Sequence, residues 1–254
     1  MLFKNVIVKN PGNSYVNGLT TSNLGKPILE ELFKQHEKYV EALKKCGVEV
    51  TQLPANEAFP DSTFVEDTAV LTPEFAIISN PGAEARNREI EGIEPTVKKF
   101  YGNLYYIEGP GTLDGGDVLQ AGKKFYVGIS DRTNEEGARQ FKGIVEKEGY
   151  EATIIPLKEF FHLKTGIAYV GENRMVLAGE FIDHPAFESY EKIIIPKEDE
   201  YSANCIQVND YVIIPAGYPE TNRKLNDLGY QTIELEMSEF RKHDGGLSCL
   251  SLRF

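Results

Sequence analysis

Cys249 lies in the run HDGGLSCLSLRF, behind two glycines and beside Ser248, where a polar stretch gives way to an apolar one. A cysteine in an apolar strand usually packs as a small hydrophobe. His162, in FFHLKTG, holds the matching position of an earlier stretch with the same pattern. A histidine brought beside a cysteine makes the nucleophile–base pair of covalent catalysis. Cys205, in SANCIQV, is similarly located, but no neighbour distinguishes it and it reads as a packing residue. Asp61, Glu66 and Asp67 crowd into PDSTFVEDTAV, and Asp114 and Asp117 into TLDGGDVL. Carboxylates at the edge of a core are costly to bury unpaired. One or two of them could cap turns, Asp117 as readily as not. Gathered together, they call for a buried cation. Arg86 and Arg132 follow the second strands of the first two hairpins, and a guanidinium fork suits a carboxylate. A ligand cationic at one end and anionic at the other describes an arginine-like amino acid.

What could bring these residues together is a repeat. AVLTPEFAIIS (69–79), VLQAGKKFYVG (118–128), IAYVGENRMVLA (167–178) and IQVNDYVIIPA (206–216) each read as a β-hairpin. A fifth copy is split, pairing CLSLRF (249–254) with NVIVK (5–9). Helical spacing follows at 27–46, with further helices expected near 87–100, 134–148, 183–190 and 219–228; the second is weakened by Pro95 and the fourth is short. Each helix leads to a third apolar run: 48–53, 104–107, 152–156, 192–196 and 231–235. The unit is strand–strand–helix–strand, with a period that signals a ring or array. Alternating strands and helices also suit a doubly wound sheet; the split fifth copy favours a propeller-like ring closed by its terminal strands.

Composition sets the outer bounds. The chain has 254 residues, 41% hydrophobic and 26% charged, ordinary for a soluble globular protein and compatible with one domain over 1–254. No apolar stretch is long enough to span a membrane, and the start reads as a strand rather than a secretory leader. Three cysteines without tight spacing suggest reduced thiols and a cytoplasmic location. No Cys or His pair has metal spacing, and Gly115-Gly116 precedes a strand rather than a helix, so no metal, nucleotide or other cofactor is expected. The net charge of −12 disfavours nucleic acid as a partner and mildly favours a cationic small molecule.

FPDSTFVED, TLDGGDVL, FHLKTG, SANCI and DGGLSCLSLRF, with NGLTTSNLGKP and ISDRTNEEGARQ, resemble the dimethylarginine dimethylaminohydrolases of the guanidino-group-modifying (pentein) superfamily. The resemblance covers essentially the whole chain. It implies an α/β propeller, a pseudo-five-fold ring of ββαβ units. It also implies hydrolysis of Nω-methylated arginines to citrulline and an amine through a covalent cysteine intermediate, without a cofactor. By the same resemblance Cys249 is the nucleophile, His162 the general acid and base, and Asp114 the acid that orients the histidine and touches the guanidinium. Asp67, with Glu66, binds the guanidinium; Arg86 and Arg132 hold the substrate carboxylate. Asp61 and the backbone of Leu19 surround the α-amine, and residues 12–27 close over the pocket. Asn80, Asn87 and His243 depart from the family pattern, which has arginines at the first two and a branched aliphatic at the third. The family uses the backbone carbonyl at the third position.

Other readings stay open at this level. An arginine deiminase or amidinotransferase of the same superfamily would share the residues, though those chains tend to be longer. A non-enzymatic propeller that binds RNA or a ribosome is opposed by the −12 charge and the Cys249–His162 pair. Oligomeric state is open, with a homodimer favoured by the exposed edges of such a ring.

Overall fold

The computed structural model describes residues 2–254. The hairpin signals in the sequence become five three-stranded sheets of one plan, in which an antiparallel pair is extended by a third, parallel strand. Strands Ala69–Leu71, Ala76–Ile78 and Leu104–Tyr106 make one sheet, and Val118–Ala121, Lys124–Ile129 and Glu151–Pro156 the next. Ile167–Tyr169, Arg174–Leu177 and Glu191–Ile194 follow, then Ile206–Val208, Tyr211–Pro215 and Gln231–Leu235. The remaining sheet takes Asn5–Lys9 as its centre, between Glu49–Leu53 and Leu252–Arg253. The expected split hairpin is there, with Val6 opposite Arg253 and Ile7 opposite Leu252.

A parallel third strand requires a crossover. Helices Leu29–Lys45, Glu135–Lys147 and Pro219–Asp227 supply it where the spacing predicts them. Leu29–Lys45 buries Leu32, Tyr39, Val40 and Leu43 on one face, and Glu135–Lys147 buries Ala138, Phe141 and Val145. Phe141 packs edge-on against Phe125 of the sheet beneath it, ring centroids 5.3 Å apart. Two expected helices differ. Residues 87–100 hold a 3-10 segment, Asn87–Gly92, and a four-residue α-turn, Glu94–Val97, because Pro95 carries no N–H and fits only the first turn of a helix. Residues 183–190 hold no α-helix; Pro185 opens the 3-10 turn Pro185–Phe187, and Gly179–Phe181 forms another. No helix among the described residues is long and apolar enough to cross a membrane.

A short 3-10 turn precedes the first strand of each sheet: Ser248–Leu250, Val65–Thr68, Gly115–Asp117, Leu163–Thr165 and Lys197–Ala203. Ser248–Leu250 touches Val65–Thr68, which touches Gly115–Asp117, and so on through Leu163–Thr165 to Lys197–Ala203. Cys249 therefore sits in a turn before its strand and not at the strand's start. These contacts gather polar residues that are far apart in sequence.

Candidate active site

Nine of the ten residues given catalytic or substrate-binding roles line one cavity of about 180 Å³: Leu19, Asp61, Asp67, Arg86, Asp114, Arg132, His162, His243 and Cys249. Glu66 lines an adjoining cavity of about 280 Å³ that shares His162, Phe161 and Cys249 with the first.

At one end, Asp67 receives Arg86 Nη1 on Oδ2 at 2.6 Å and the Gly116 N–H on Oδ1 at 3.0 Å. A Cβ on Gly116 would press against Asp67 Oδ1 and the His162 ring, and one on Gly115 would strike the Glu66 carbonyl. The two glycines of LDGGD thus serve close packing of the turns. Burial alone would raise the Asp67 carboxyl; Arg86, His162 and the Gly116 N–H outweigh it and hold the group below the ordinary value. Asp114 takes the Gly82 N–H on Oδ1 at 2.8 Å, while its Oδ2 is buried without a hydrogen-bond partner. Burial, with Asp67 nearby, pushes Asp114 up to about 7. A buried lone pair beside an ionised carboxylate is a receptor for a donor that arrives with a positive charge.

His162 differs from expectation in its partner. Its Nδ1 lies 3.1 Å from Asp117 Oδ2, whereas Nε2 lies 3.8 Å from Asp114 Oδ2. Asp117, fully buried, is fixed by Ser130 Oγ at 2.6 Å, Thr133 Oγ1 at 2.7 Å and the Leu163 N–H at 3.0 Å. It is the nearest acid to the histidine, a part the sequence left open between site and turn cap. Burial opposes charge on the ring, but Asp117, Asp67 and Asp114 overcome it and raise His162 to about 9. Asp67, Asp114 and His162 also bring one donor atom each within 4.8 Å of one another. That set could hold a small cation, and because it draws on three units, no local spacing announces it.

The turn bearing Cys249 is held from three sides. Tyr39 Oη donates to the Leu247 carbonyl at 2.8 Å and lies 2.6 Å from Ser251 Oγ. Asn204 accepts the Ser248 N–H at 3.0 Å, and its amide nitrogen donates to Ser248 Oγ at 3.1 Å and the Lys164 carbonyl at 2.9 Å. In the sequence Asn204 stands beside Cys205 in SANCI, among the polar residues that precede a first strand. The Gly246 N–H points at Sγ from 3.5 Å. Burial, with Glu66 and Asp67 nearby, pushes the Cys249 thiol up to about 12, so the group is a thiol until a positive charge arrives. Cys46 and Cys205 are buried free thiols, and burial raises both.

Two expected roles shift. Glu66 is neutralised from within: Lys164 Nζ at 2.5 Å and Arg253 Nη2 at 3.3 Å meet Oε1, and Ser248 Oγ meets Oε2 at 2.8 Å. Adjacent side chains on a 3-10 turn diverge, so Glu66 supports the Cys249 turn while Asp67 faces the cavity. Arg86 is equally committed. Glu89 grips it through Nε and Nη2, the latter at 2.9 Å, Asp67 takes Nη1, and the Phe64 carbonyl takes Nη2 at 3.0 Å. Arg132 is different: half-buried, it lies 5.2 Å above the Phe161 ring, and among the described residues no carboxylate pairs with it. Of the two guanidinium groups that line the cavity, it is the one that no internal carboxylate engages.

At the far rim, both Asp61 oxygens take the Leu19 N–H, at 3.2 and 3.1 Å. Thr21 donates its N–H to Asp244 at 2.6 Å, and Thr20 Oγ1 donates to the Lys242 carbonyl at 2.9 Å. The segment around 12–27 is thereby drawn down over the cavity. His243 is buried and stacked on Tyr15, ring centroids 4.6 Å apart.

Residues 11–224 match the family described as N,N dimethylarginine dimethylhydrolase, eukaryotic. An N(G),N(G)-dimethylarginine dimethylaminohydrolase of Pseudomonas aeruginosa is 50% identical over 254 residues, covering all of both chains. A second, of Streptomyces coelicolor, is 32% identical over 98% of this chain and 96% of its own. A solved structure of the Pseudomonas aeruginosa enzyme, a cysteine-to-serine variant complexed with citrulline, superposes with a TM-score of 0.99 at 50% identity over the full length of both.

Proposed function

The chain belongs to the dimethylarginine dimethylaminohydrolase family of the guanidino-group-modifying superfamily, and on that premise we propose that it hydrolyses Nω-methylated arginines to citrulline and methylamine or dimethylamine. One observation carries the reading: a buried, unpartnered carboxylate oxygen on Asp114 shares a cavity with Asp67, His162 and Cys249. The guanidinium lies between Asp67 and Asp114, and its charge, entering beside a thiol held up by burial, favours the thiolate, the thiol proton passing to solvent. Held in line, the sulfur attacks the central guanidinium carbon, which is otherwise a weak electrophile. Protonated His162, kept charged by Asp117, gives its proton to the departing amine. The imidazole, now neutral, takes a proton from water. The resulting hydroxide adds to the carbon and expels the Cys249 thiolate; the added hydroxyl gives up its proton, leaving the neutral ureido group of citrulline. Arg132 holds the substrate carboxylate, Arg86 keeps Asp67 ionised and fixed, and Asp61 with the Leu19 backbone surrounds the α-amine. A citrulline complex of the Pseudomonas aeruginosa relative is consistent with this product.

We read the five sheets as blades of an α/β propeller of pseudo-five-fold symmetry, a single catalytic domain. The sequential contacts of the five turns, and a sheet built from residues near 5 and near 253, support this. The test is citrulline release from asymmetric dimethylarginine, monomethylarginine and arginine in parallel, with Cys249→Ser as control. Turnover of methylated substrates, little of arginine and none in the variant is expected. Turnover of arginine alone identifies a deiminase, and activity in Cys249→Ser removes the cysteine mechanism.

A further inference from the structure

The cavity gives the His243 ring something to do, a role that rests on the methylarginine reading of the site. We propose that the His243 side chain sets specificity at the amino-acid end of the cavity, accepting a hydrogen bond through Nδ1 from the α-ammonium group beside the Asp61 carboxylate.

Three features of the structure point there. His243 Nδ1 is buried and has no hydrogen-bond partner among the described residues, in a residue only 6% exposed. An orphaned buried acceptor in a binding cavity is costly unless a ligand satisfies it. Second, Nδ1 and an Asp61 oxygen converge: a methyl group on Gly18 would collide with both. A glycine is required at that point of the covering segment, and the two acceptors are near enough to share one small donor. Third, the ring is stacked on Tyr15 at 20°, a contact that favours its present orientation.

The charge state suits the role. Burial lowers the His243 pKa against the opposing pull of Asp61 and Asp244; Tyr15 stacks on the ring, and Arg132 and Cys249 line the same cavity. In the neutral ring, the tautomer with its proton on Nε2 offers Nδ1 as a lone pair. An ammonium has three N–H groups to place. Asp61, already accepting the Leu19 N–H, provides the countercharge, and His243 a second, uncharged acceptor. A branched aliphatic would line the same wall without satisfying any donor. A guanidino acid lacking the α-amine would leave Nδ1 as it is in the free protein. The difference is selectivity for a free α-amino group, at the end of the ligand opposite the chemistry.

The experiment uses binding, so it does not depend on turnover. Calorimetry on Cys249→Ser protein would compare asymmetric dimethylarginine with its desamino analogue, a dimethylguanidino pentanoate, with and without His243→Val. The expected result is about tenfold weaker binding of the amino acid on His243→Val, the scale of one hydrogen bond to a charged group, and less than a twofold change for the desamino acid. His243→Asn, which restores an acceptor, should recover part of the loss. If His243→Val does not fold, His243→Phe keeps the stack on Tyr15, removes the nitrogen and carries the same comparison. Equal weakening of both ligands, or of neither, overturns the proposal while leaving the substrate assignment intact. If neither ligand binds the parent protein, the substrate assignment falls and takes this inference with it.

Discussion

Replacing Asp117 by asparagine should convert His162 from a standing acid into a neutral imidazole. Asp117 Oδ2 is 3.1 Å from Nδ1 and heads the influences that favour the charged ring. The rise of His162 from 6.5 to about 9 corresponds to roughly 3 kcal/mol in favour of the imidazolium, at about 1.4 kcal/mol per pH unit. That preference is won against burial, the largest single influence on the group. Removing the nearest negative charge lets burial dominate, and the ring should titrate at or below its ordinary 6.5. At pH 8 the protonated fraction would fall from about nine-tenths to a few hundredths. If amine departure needs that proton, kcat at pH 8 drops roughly thirtyfold, while near pH 5.5, where about nine-tenths of rings titrating at 6.5 stay charged, little is lost. Asparagine keeps an oxygen for the Leu163 N–H, so the fold should survive. The assay is citrulline release from pH 5.5 to 9.5, alongside NMR titration of the His162 ring in both proteins. An alkaline limb that overlays the parent's, or a ring still titrating near 9 in Asp117→Asn, would refute the assignment and return the role to Asp114.

Other expectations come from the same electrostatics. A guanidinium must compete with the proton that Asp114, pushed up to about 7, holds below that pH; affinity should therefore rise as pH passes upward through 7. Calorimetry in buffers of different ionisation enthalpy should show proton release, and a pH-independent affinity would count against it. In the free protein the folded-state pKa values of both His162, about 9, and Asp114, about 7, lie above their ordinary 6.5 and 3.8. Their contribution to stability is complete below those ordinary values and disappears as pH climbs through 7 and then 9. Tm should accordingly fall between pH 6 and 10, and a rising Tm in scanning calorimetry would contradict these assignments. Glu89→Leu would strand the buried Arg86 cation, which Glu89 meets at 2.9 Å. Urea unfolding should register a loss of about 3–5 kcal/mol, the usual consequence of breaking one side of a buried pair; a loss below about 1 kcal/mol would show that Asp67 alone suffices.

Much of this site was legible because its residues announce themselves locally. DGGLSC, FHLKTG and LDGGD each stand just before a strand, and hairpin alternation is a strong signal. What could not be read was which charge is already spent. Arg86 looks like a free cation until Glu89 and Asp67 close on it, and only the folded turns decide that Arg132 keeps its charge to offer. Glu66 and Asp67 are adjacent in sequence, yet one meets Lys164 and the other Arg86. Asp114 and Asp117 are three residues apart across a 3-10 turn, and the pitch of that turn puts Asp117 nearer the histidine. The missing helix near 183–190 is a simpler matter: Pro185 and short 3-10 turns complete the crossover without one.

The pairing of Val6 with Arg253 also orders events during biosynthesis. The ribosome makes these partners roughly 245 residues apart, a delay on the order of 10–50 s at about 5–20 residues per second. Through that interval Asn5–Lys9 can join its parallel neighbour Glu49–Leu53, but its other edge stays open. Open strand edges recruit whatever complementary strand is near, including another nascent chain. The acids and the histidine are translated early and Cys249 late, so a chain arrested before residue 249 would carry the acidic end of the cavity without its thiol.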